Sequence, residues 1–283
     1  SYDERLGPLS DAPVRASAQA AFEREMTLSL FSEITGAQVV DGGVELSWKY
    51  RDREGGETQV FEQVLVATGR RPNLGKLGLE ALDLPTGPGG VPQHDPMTMQ
   101  VGDLPIFIAG DVTNDKPLLH EASDGGRIAG TNAGRLALGK PVRAFQRRIP
   151  LGVVFTDPQM GMVGESFKQL TDAGVDFAVG EVSYDNQGRA RVMGRNHGHA
   201  RIYAEKRHGR ILGAELFGPG VEHMSHLLAW AIGADMTVTR ALQMPFYHPV
   251  LEEGLRTALR DLAVNLRLRD ASEIKCVDCP PGS

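Results

Sequence analysis

The sequence predicts an α/β portion followed by an α+β domain that is built on an antiparallel sheet. Three observations support this prediction. An apolar strand at Leu104 to Val112 ends in Gly-Asp and precedes a helix of small residues from His120 to Leu138, which gives a strand, turn and helix unit. A stretch rich in glycine and proline, Leu74 to Gln100, indicates a long irregular connection before that unit. After Pro141 the pattern changes to short alternating strands, which are typical of antiparallel sheet.

The residues before Leu74 predict a helix and several strands. Apolar side chains recur with a period near 3.6 from Asp11 to Glu25, which predicts the helix. Val44 to Tyr50 and Val60 to Val66 alternate like the two strands of a hairpin around a Gly-Gly turn. The segment VLVATGRRPN, Val64 to Asn73, predicts a buried strand that ends at its glycine, because the proline that follows cannot continue it.

A second domain is expected to begin near Ile149. Its predicted strands lie near its start and around Glu181, Ala200 and Ile211, and its predicted helices begin at His223 and Leu251. The segment His223 to Phe246 is apolar on more than one face, which suits either a core helix or a subunit interface. The final residues, Ala271 to Ser283, are predicted to form a flexible tail.

Composition argues against several classes of function. Hydrophobic residues make up 41% of the 283 residues and charged residues 23%, and no apolar run approaches the roughly 20 residues of a membrane span. A net charge of -6 without basic clusters argues against nucleic-acid binding. Both cysteines lie in the last eight residues, so we expect no disulfide framework and no metal site. Since no signal segment opens the sequence, we expect a cytoplasmic location.

Asp111 is a candidate ligand-binding residue, because it lies just past the carboxyl end of a predicted buried strand, where open α/β sheets bind ligands. A strand that ends in Gly-Asp is also a common turn. The segment DKPLLHEASDGG that follows places a proline before a helix start, so free amides and the positive end of the helix dipole would point back towards the strand end. Such a helix end would suit an anion or an electron-rich ring.

His248 is a second candidate, and its own surroundings leave two interpretations open. In FYHPVLEEGL, Phe246 to Leu255, the histidine precedes a proline and two glutamates. It is either a base that is oriented by a carboxylate or a solvated histidine beside an acidic helix start.

Five segments in order resemble the flavin, or pyridine nucleotide, disulfide oxidoreductases and are similar to the dihydrolipoamide dehydrogenases. They are VLVATGRRPN, MTMQVGDLPIFIAGDV, PLLHEASDGGRIAGTNAG, PLGVVFTDPQMGMVGES and FYHPVLEEGL. The resemblance extends from Asp11 to about Arg269. It implies an FAD enzyme that passes electrons between a nicotinamide, NAD or NADP, and a dithiol such as a lipoyl group.

The resemblance also implies how the chain is divided. We expect remnants of Rossmann-like FAD- and NAD-binding domains followed by an α+β dimerisation domain with an antiparallel sheet. The expected divisions are a partial NAD(P)-binding domain at 1–72, a return segment of the FAD-binding domain at 73–148, the interface domain at 149–270 and the tail at 271–283.

Two groups of site residues follow from the resemblance. Asp111 would hold the ribityl hydroxyls of the flavin, and the amides of the next helix start would lie near its pyrimidine edge. The implied cofactor-binding residues are Gly69, Gly110, Asp111, Leu118, Leu119 and His120. The pattern HPxxxE implies that His248 removes a proton from the attacking thiol while Glu253 accepts a hydrogen bond from the other ring nitrogen. In such enzymes this histidine reaches the flavin site of the other subunit, so a homodimer is implied.

The sequence departs from the family pattern in ways that affect its expected activity. It contains neither a GxGxxG fingerprint after a strand nor a CxxxxC redox pair, and it resembles the carboxyl-terminal part of a longer enzyme. We therefore expect the isolated chain to be inactive as a dehydrogenase, because its FAD site would lack the phosphate contacts of the dinucleotide-binding half. The alternatives are a non-enzymatic dimerisation module, or a mercuric or thioredoxin-type reductase whose tail dithiol, Cys276 and Cys279, shuttles electrons. Those two cysteines are otherwise surface thiols or residues left from cloning.

Overall fold

A computed structural model describes residues 2–3 and 5–268 of the chain. The described residues form two compact units, one made of the chain up to Val64 together with the part from Ile149 onward, and the other of Leu65–Arg148. No helix in these described ranges is long and apolar enough to cross a membrane. The predicted tail and its two cysteines lie outside the described residues.

The first unit contains a three-stranded antiparallel meander. Its strands are β1 (Ser32–Val40), β2 (Gly43–Tyr50) and β3 (Gly56–Phe61), which pair in the order β1-β2-β3. The prediction of β2 is confirmed within one residue at its start. The prediction missed β1, because most of its side chains are exposed and no apolar alternation marks it. The predicted second strand of the hairpin starts earlier than expected and ends at Phe61, and Leu65 and Val66 beyond it are exposed.

The same unit contains a five-stranded antiparallel sheet with the strand order β4-β5-β8-β7-β6. Its strands are β4 (Leu151–Val154), β5 (Gln159–Gly164), β6 (Phe177–Ser183), β7 (His199–Glu205) and β8 (Ile211–Gly218). These are the positions at which the short alternating strands were predicted. The antiparallel α+β prediction for this part of the chain is confirmed.

Alternation along β7 and β8 separates two faces of this sheet. Ala200 and Ile202 of β7, with Leu216 of β8, point into the main hydrophobic core. Their neighbours in sequence point the other way, where Phe217 joins a smaller apolar cluster. The helices that cover the main core are α5 (Val221–Gly233), α6 (Val238–Leu242) and α7 (Glu253–Asn265), while α3 (Phe167–Asp172) and α4 (Gly188–Val192) are short connections.

The opposite face of the sheet is covered by the first helix, α1 (Ala12–Phe22), as its periodicity predicted. Val14, Ala18 and Phe22 are its buried positions, one on each successive turn. The ring of Phe22 lies 5.8 Å from the ring of Phe217, centroid to centroid. The amino-terminal helix and the sheet that begins more than 100 residues later therefore share a hydrophobic cluster.

A buried cluster of polar side chains lies where α1 meets the sheet. Glu215 has no exposed surface and accepts hydrogen bonds from the backbone amides of Ser10 (2.6 Å), Asp11 (2.9 Å) and Phe167 (3.1 Å). The hydroxyl of Ser10 also donates to Glu215. A buried carboxylate is stable only when it is satisfied by such donors, so Glu215 fixes the start of α1 on β8.

Asp11 belongs to the same cluster and plays an unexpected part in it. It precedes α1, where an aspartate would ordinarily cap the helix, but it makes no capping bond. Its carboxylate instead accepts from Arg201 and, at 2.7 Å, from the hydroxyl of Tyr203. Burial raises the pKa of Asp11, with the charge of Glu215 adding to that effect and Arg201 and Tyr203 opposing it.

The raised pKa of Asp11 predicts a characteristic pH dependence of stability. Because the folded state holds this proton more tightly than the unfolded state, the contribution of Asp11 to stability falls as the pH rises from its ordinary pKa of 3.8 through the folded value. We expect the unfolding free energy of the wild type minus that of Asp11→Asn to decrease with rising pH in that window. Urea unfolding of both proteins from about pH 3 to pH 7 measures it. A difference that grows with pH would contradict this assignment.

The second unit has one long helix, α2 (Leu119–Ala137), which confirms the helix predicted from His120. Glu121 in its first turn pairs with Arg147, and Asp124 pairs with Arg148 at 3.0 Å. The glycine- and proline-rich stretch before α2 forms only short helical turns and isolated bridges, as an irregular connection should. Two strand predictions in this unit are wrong.

Neither VLVATG nor LPIFIAG forms a strand in the described chain. Val66 is largely exposed, and the second segment makes a single bridge, from Gln100 to Phe107. The apolar runs are those of buried strands, but no neighbouring strand among the described residues offers them a ladder of hydrogen bonds. The prediction identified their apolar composition correctly, but the described residues include no partner strand for them.

Candidate functional site

His248 and Glu253 form a hydrogen-bonded pair. The Nδ1 atom of His248 lies 3.0 Å from Oε1 and 3.1 Å from Oε2 of Glu253. A carboxylate only accepts, so Nδ1 carries the hydrogen and Nε2 is left as the basic nitrogen of the neutral ring. The histidine side chain is 80% exposed, whereas that of Glu253 is 26% exposed. This is the arrangement of a base with its orienting carboxylate.

The local backbone explains why the two side chains meet. Residues 246–252 form a loop, and α7 begins at Glu253 itself, which places the carboxylate in the first turn of the helix. The positive end of the helix dipole favours an ionised side chain there. The amide of Val250 also donates to Oε2 of Glu253 at 3.3 Å. The loop therefore holds the carboxylate through two groups, the amide of Val250 and the ring of His248.

The predicted helix start was two to four residues too early. The sequence predicted a helix from Leu251 with Pro249 at its beginning, whereas Pro249 lies in the loop and the bond that joins it to His248 is cis. Pro249 was recognised as a residue at a helix boundary, but residues 250–252 turn before the helix begins. Glu252 occupies the position before α7, makes no capping bond, and borders an apolar groove.

Hydrogen bonding lowers the pKa of Glu253. The largest cause is the bond to His248, followed by the opposing effect of burial and then by the bond from the Val250 amide. Because the folded pKa lies below the ordinary value of 4.5, the pair stabilises the fold above that pH and this contribution is lost as the pH falls through the folded value. At neutral pH Glu253 is therefore ionised and able to hold the histidine ring.

The second group of predicted residues surrounds Asp111 in the other unit. Asp111 begins a short turn, Asp111–Thr113, and Gly110 before it has a φ of 81°, which is a conformation that favours glycine. A Cβ atom on Gly110 would lie 3.5 Å from Cβ of Ala122 in α2. The end of the predicted strand segment and the first turn of α2 are thus adjacent, as the sequence predicted.

Arg70 forms an ion pair with Asp111 that the sequence did not predict. Its guanidinium donates to Oδ2 of Asp111 at 2.7 Å, and both side chains are at least half exposed. Gly69, which directly precedes Arg70, has a φ of 95°, a conformation that favours glycine. The adjacent arginines of GRRPN were visible in the sequence, but the separation of 41 positions between Arg70 and Asp111 gave no sign of the pairing.

The start of α2 lies directly after this turn. Leu118 precedes the helix in an extended conformation, and Leu119 and His120 are its first two residues. The amides of a first helical turn have no partner within the helix, and no side chain caps this end. The structure therefore groups Gly69, Gly110, Asp111, Leu118, Leu119 and His120 within one unit, and it places His248 with Glu253 in the other.

Comparisons with known proteins agree with this arrangement of elements. Residues 150–259 match the family model "Pyridine nucleotide-disulphide oxidoreductase, dimerisation domain". Dihydrolipoyl dehydrogenase 3 of Pseudomonas putida is 30% identical over 91% of this chain and 54% of its own length. Residues 150–259 thus form a dimerisation domain of the pyridine nucleotide-disulphide oxidoreductase family. The five-stranded sheet and the pair formed by His248 and Glu253 lie within the matched dimerisation domain.

Two further similarities bear on the fold and on the length. The mitochondrial dihydrolipoyl dehydrogenase of Rattus norvegicus is 31% identical over 81% of this chain and 44% of its own length. The crystal structure of LpdA from Mycobacterium tuberculosis superposes with a TM-score of 0.75 at 25% identity, over 92% of this chain and 55% of that one. The chain thus spans about half the length of the relatives it matches.

Proposed function

We propose that this chain supplies the acid–base pair and a flavin-contacting region of an FAD-dependent oxidoreductase that resembles dihydrolipoamide dehydrogenase and transfers electrons between a dithiol and NAD(P). The observation that carries the proposal is the geometry at His248. Its Nδ1 atom is held by Glu253 and its ring is exposed, so Nε2 is free to take a proton from a thiol. Removal of that proton gives the thiolate, which is the form that attacks a disulfide.

The residues around Asp111 fit the chemistry of a flavin. A carboxylate accepts hydrogen bonds from hydroxyl groups such as those of a ribityl chain, and Asp111 remains about half exposed beside Arg70. The free amides at the start of α2 suit the electron-rich edge of a ring. When bound, FAD would accept electrons from the reduced dithiol and pass them to the nicotinamide. Asp111 would orient the cofactor, and the amides would favour its reduced form.

The reaction is tested with the flavoenzyme that contains this chain. We expect reduction of NAD or NADP that depends on dihydrolipoamide and on FAD. A comparison of dihydrolipoamide with reduced thioredoxin and with the monothiol glutathione, each at the same thiol concentration, would identify the preferred thiol substrate. Absence of nicotinamide reduction with all three thiols, in a preparation that contains bound FAD, would contradict the proposed function.

A second function, dimerisation, is favoured by an exposed apolar surface on the same domain. A groove of about 570 Å³ is lined mainly by apolar side chains, among them Leu227, Trp230, Met236, Met244, Phe246 and Tyr247. The side chains of Trp230 and Tyr247 are 75% and 80% exposed. A contiguous apolar surface that is exposed to water in this way is typical of an interaction site. The helix α5 thus has one face in the core and another that is apolar and uncovered. We propose that a second copy of the chain covers it.

Trp230→Glu is expected to convert the dimer into a monomer, because it places a charge at the centre of the buried surface. Light scattering coupled to size exclusion should give twice the chain mass for the wild type and the single mass for the variant. Val39→Glu is the matched control, because Val39 is an apolar residue of β1 that is 83% exposed outside the groove. A wild-type monomer, or a dimer that persists in Trp230→Glu, would contradict the proposed interface.

A further inference from the structure

Gln187 connects the loop of His248 to another part of the domain. Its side-chain Nε2 donates to the carbonyl oxygen of Val250 at 2.8 Å, and its Oε1 accepts from the amide of Ala190 at 2.7 Å. The two partners fix the orientation of the side-chain amide, since an exchange of its oxygen and nitrogen would break both bonds. One side chain therefore both caps α4 and holds the histidine loop.

The position of Gln187 is itself well fixed. Its backbone amide donates to the carbonyl of Tyr184 at 3.1 Å, and its carbonyl accepts from Arg191. Tyr184 is fully buried, and its ring lies so close to α7 that a Cβ atom on Gly254 would be 2.6 Å from the hydroxyl oxygen. Gln187 is thus half-buried, and its backbone is bonded to a fully buried residue at the start of the turn that precedes it.

Val250 transmits this constraint to the candidate site. Its carbonyl is bound by Gln187, and its amide donates to the carboxylate of Glu253, which in turn accepts from His248. The next residue, Leu251, packs against the core and holds the other end of the loop. Release of the Val250 carbonyl would free the segment whose amide orients Glu253.

We propose that Gln187 is a positioning residue for His248. Gln187 holds the loop that orients Glu253, and Glu253 in turn sets the tautomer of the His248 ring. The proposal rests on the function proposed above for the pair. While Gln187 holds Val250, Glu253 keeps the hydrogen of the neutral imidazole on Nδ1 and leaves Nε2 free. Without the hydrogen bond from Gln187 to Val250, the ring would sample both tautomers. Nε2 would then be the unprotonated, basic nitrogen for a smaller fraction of the time.

The tautomer can be measured on the full chain by ¹⁵N spectroscopy of labelled histidines, at a pH where the rings are neutral. The His248→Gln spectrum assigns the signals of His248. In the wild type we expect Nδ1 to have the chemical shift of a protonated nitrogen and Nε2 that of an unprotonated one. In Glu253→Leu, which removes the acceptor, both shifts should move towards the average of the two tautomers. A wild type that already shows averaged shifts, or a Glu253→Leu variant that leaves them unchanged, would overturn the pair and with it the proposed function.

Two variants of Gln187 then test the further inference by itself. Gln187→Glu keeps the acceptor for the Ala190 amide but loses the donor to Val250, and Gln187→Leu loses both without adding a charge. We expect both to shift the His248 nitrogens towards the tautomer average. Unchanged His248 shifts in both variants, with backbone amide spectra that confirm a native fold, would overturn the role of Gln187 while leaving the pair intact.

Matched controls separate this effect from lost capping and from added charge. Ser166→Ala removes a capping side chain from α3 and should leave the His248 shifts unchanged. Asn186→Asp adds a negative charge beside Gln187 but keeps its donor, and it should also leave the tautomer on Nδ1. A change of tautomer in either control as large as that in the Gln187 variants would overturn the inference.

Discussion

Glu215→Ala is expected to lower the free energy of unfolding by about 3 to 5 kcal/mol. The substitution removes the acceptor of three backbone amides, those of Ser10, Asp11 and Phe167, at a site with no exposed surface. The buried amide of Asp11 and the partly buried amides of Ser10 and Phe167 then lose their acceptor, and alanine also leaves a cavity where the Glu215 side chain was buried. Since Glu215 joins α1 to the sheet, we expect α1 to lose protection first. Urea unfolding and amide hydrogen exchange of α1 measure the two effects.

Two comparisons make this prediction specific. Glu215→Gln keeps one acceptor oxygen and should cost less than Glu215→Ala. Glu33→Ala removes a glutamate from a strand where its partner, Lys49, is also exposed, and a surface pair of this kind contributes about 0 to 1 kcal/mol. A Glu215→Ala variant no less stable than Glu33→Ala would show that the buried carboxylate does not hold α1.

His248→Gln is expected to reduce the turnover of dihydrolipoamide by about 10² to 10⁴-fold in the flavoenzyme proposed for this chain. Glutamine can still donate to Glu253, so the loop should keep its structure, but it cannot accept a proton from the thiol at neutral pH. The FAD content should remain that of the wild type. Steady-state kinetics with dihydrolipoamide, normalised to bound flavin, measure the loss.

His208→Gln is the matched control for this substitution. The side chain of His208 is also exposed, and its Nδ1 atom lies 3.1 Å from Oε1 of Glu205, but it is outside the HPxxxE pattern and outside the apolar groove. Its replacement should leave turnover within about two-fold of the wild type, as expected for a surface histidine. Equal losses in the two variants would mean that the effect does not come from a base at His248.

Much of the fold could be predicted from the sequence because periodicity reports how an element is buried. The helices α1 and α2 and the antiparallel strands of the interface domain appear where the patterns placed them. The pairing of His248 with Glu253 was implied by the family resemblance through the HPxxxE pattern, whose two partners lie only five residues apart. These features could be predicted because each depends on residues that are close in the sequence and follow a recognisable pattern.

The features that the sequence did not predict depend on distant partners. VLVATG and LPIFIAG have the composition of buried strands, but composition does not show whether a neighbouring strand is available. Glu215 meets Asp11 across 204 residues, and Gln187 meets Val250 across 63. Glutamate in a strand and glutamine in a loop are ordinary surface residues by sequence, so only the fold gives them a role.

The central claim is that His248 acts on the thiol side of the reaction, and separate measurement of the two half-reactions tests it most directly. Stopped-flow absorbance would follow reduction of the bound flavin by dihydrolipoamide and, in a second experiment, by NADH or NADPH. We predict that His248→Gln slows reduction by dihydrolipoamide by about 10² to 10⁴-fold and leaves reduction by the nicotinamide at the wild-type rate. Equal rates of reduction by dihydrolipoamide in the variant and the wild type would contradict the claim, as would an equal slowing of both half-reactions.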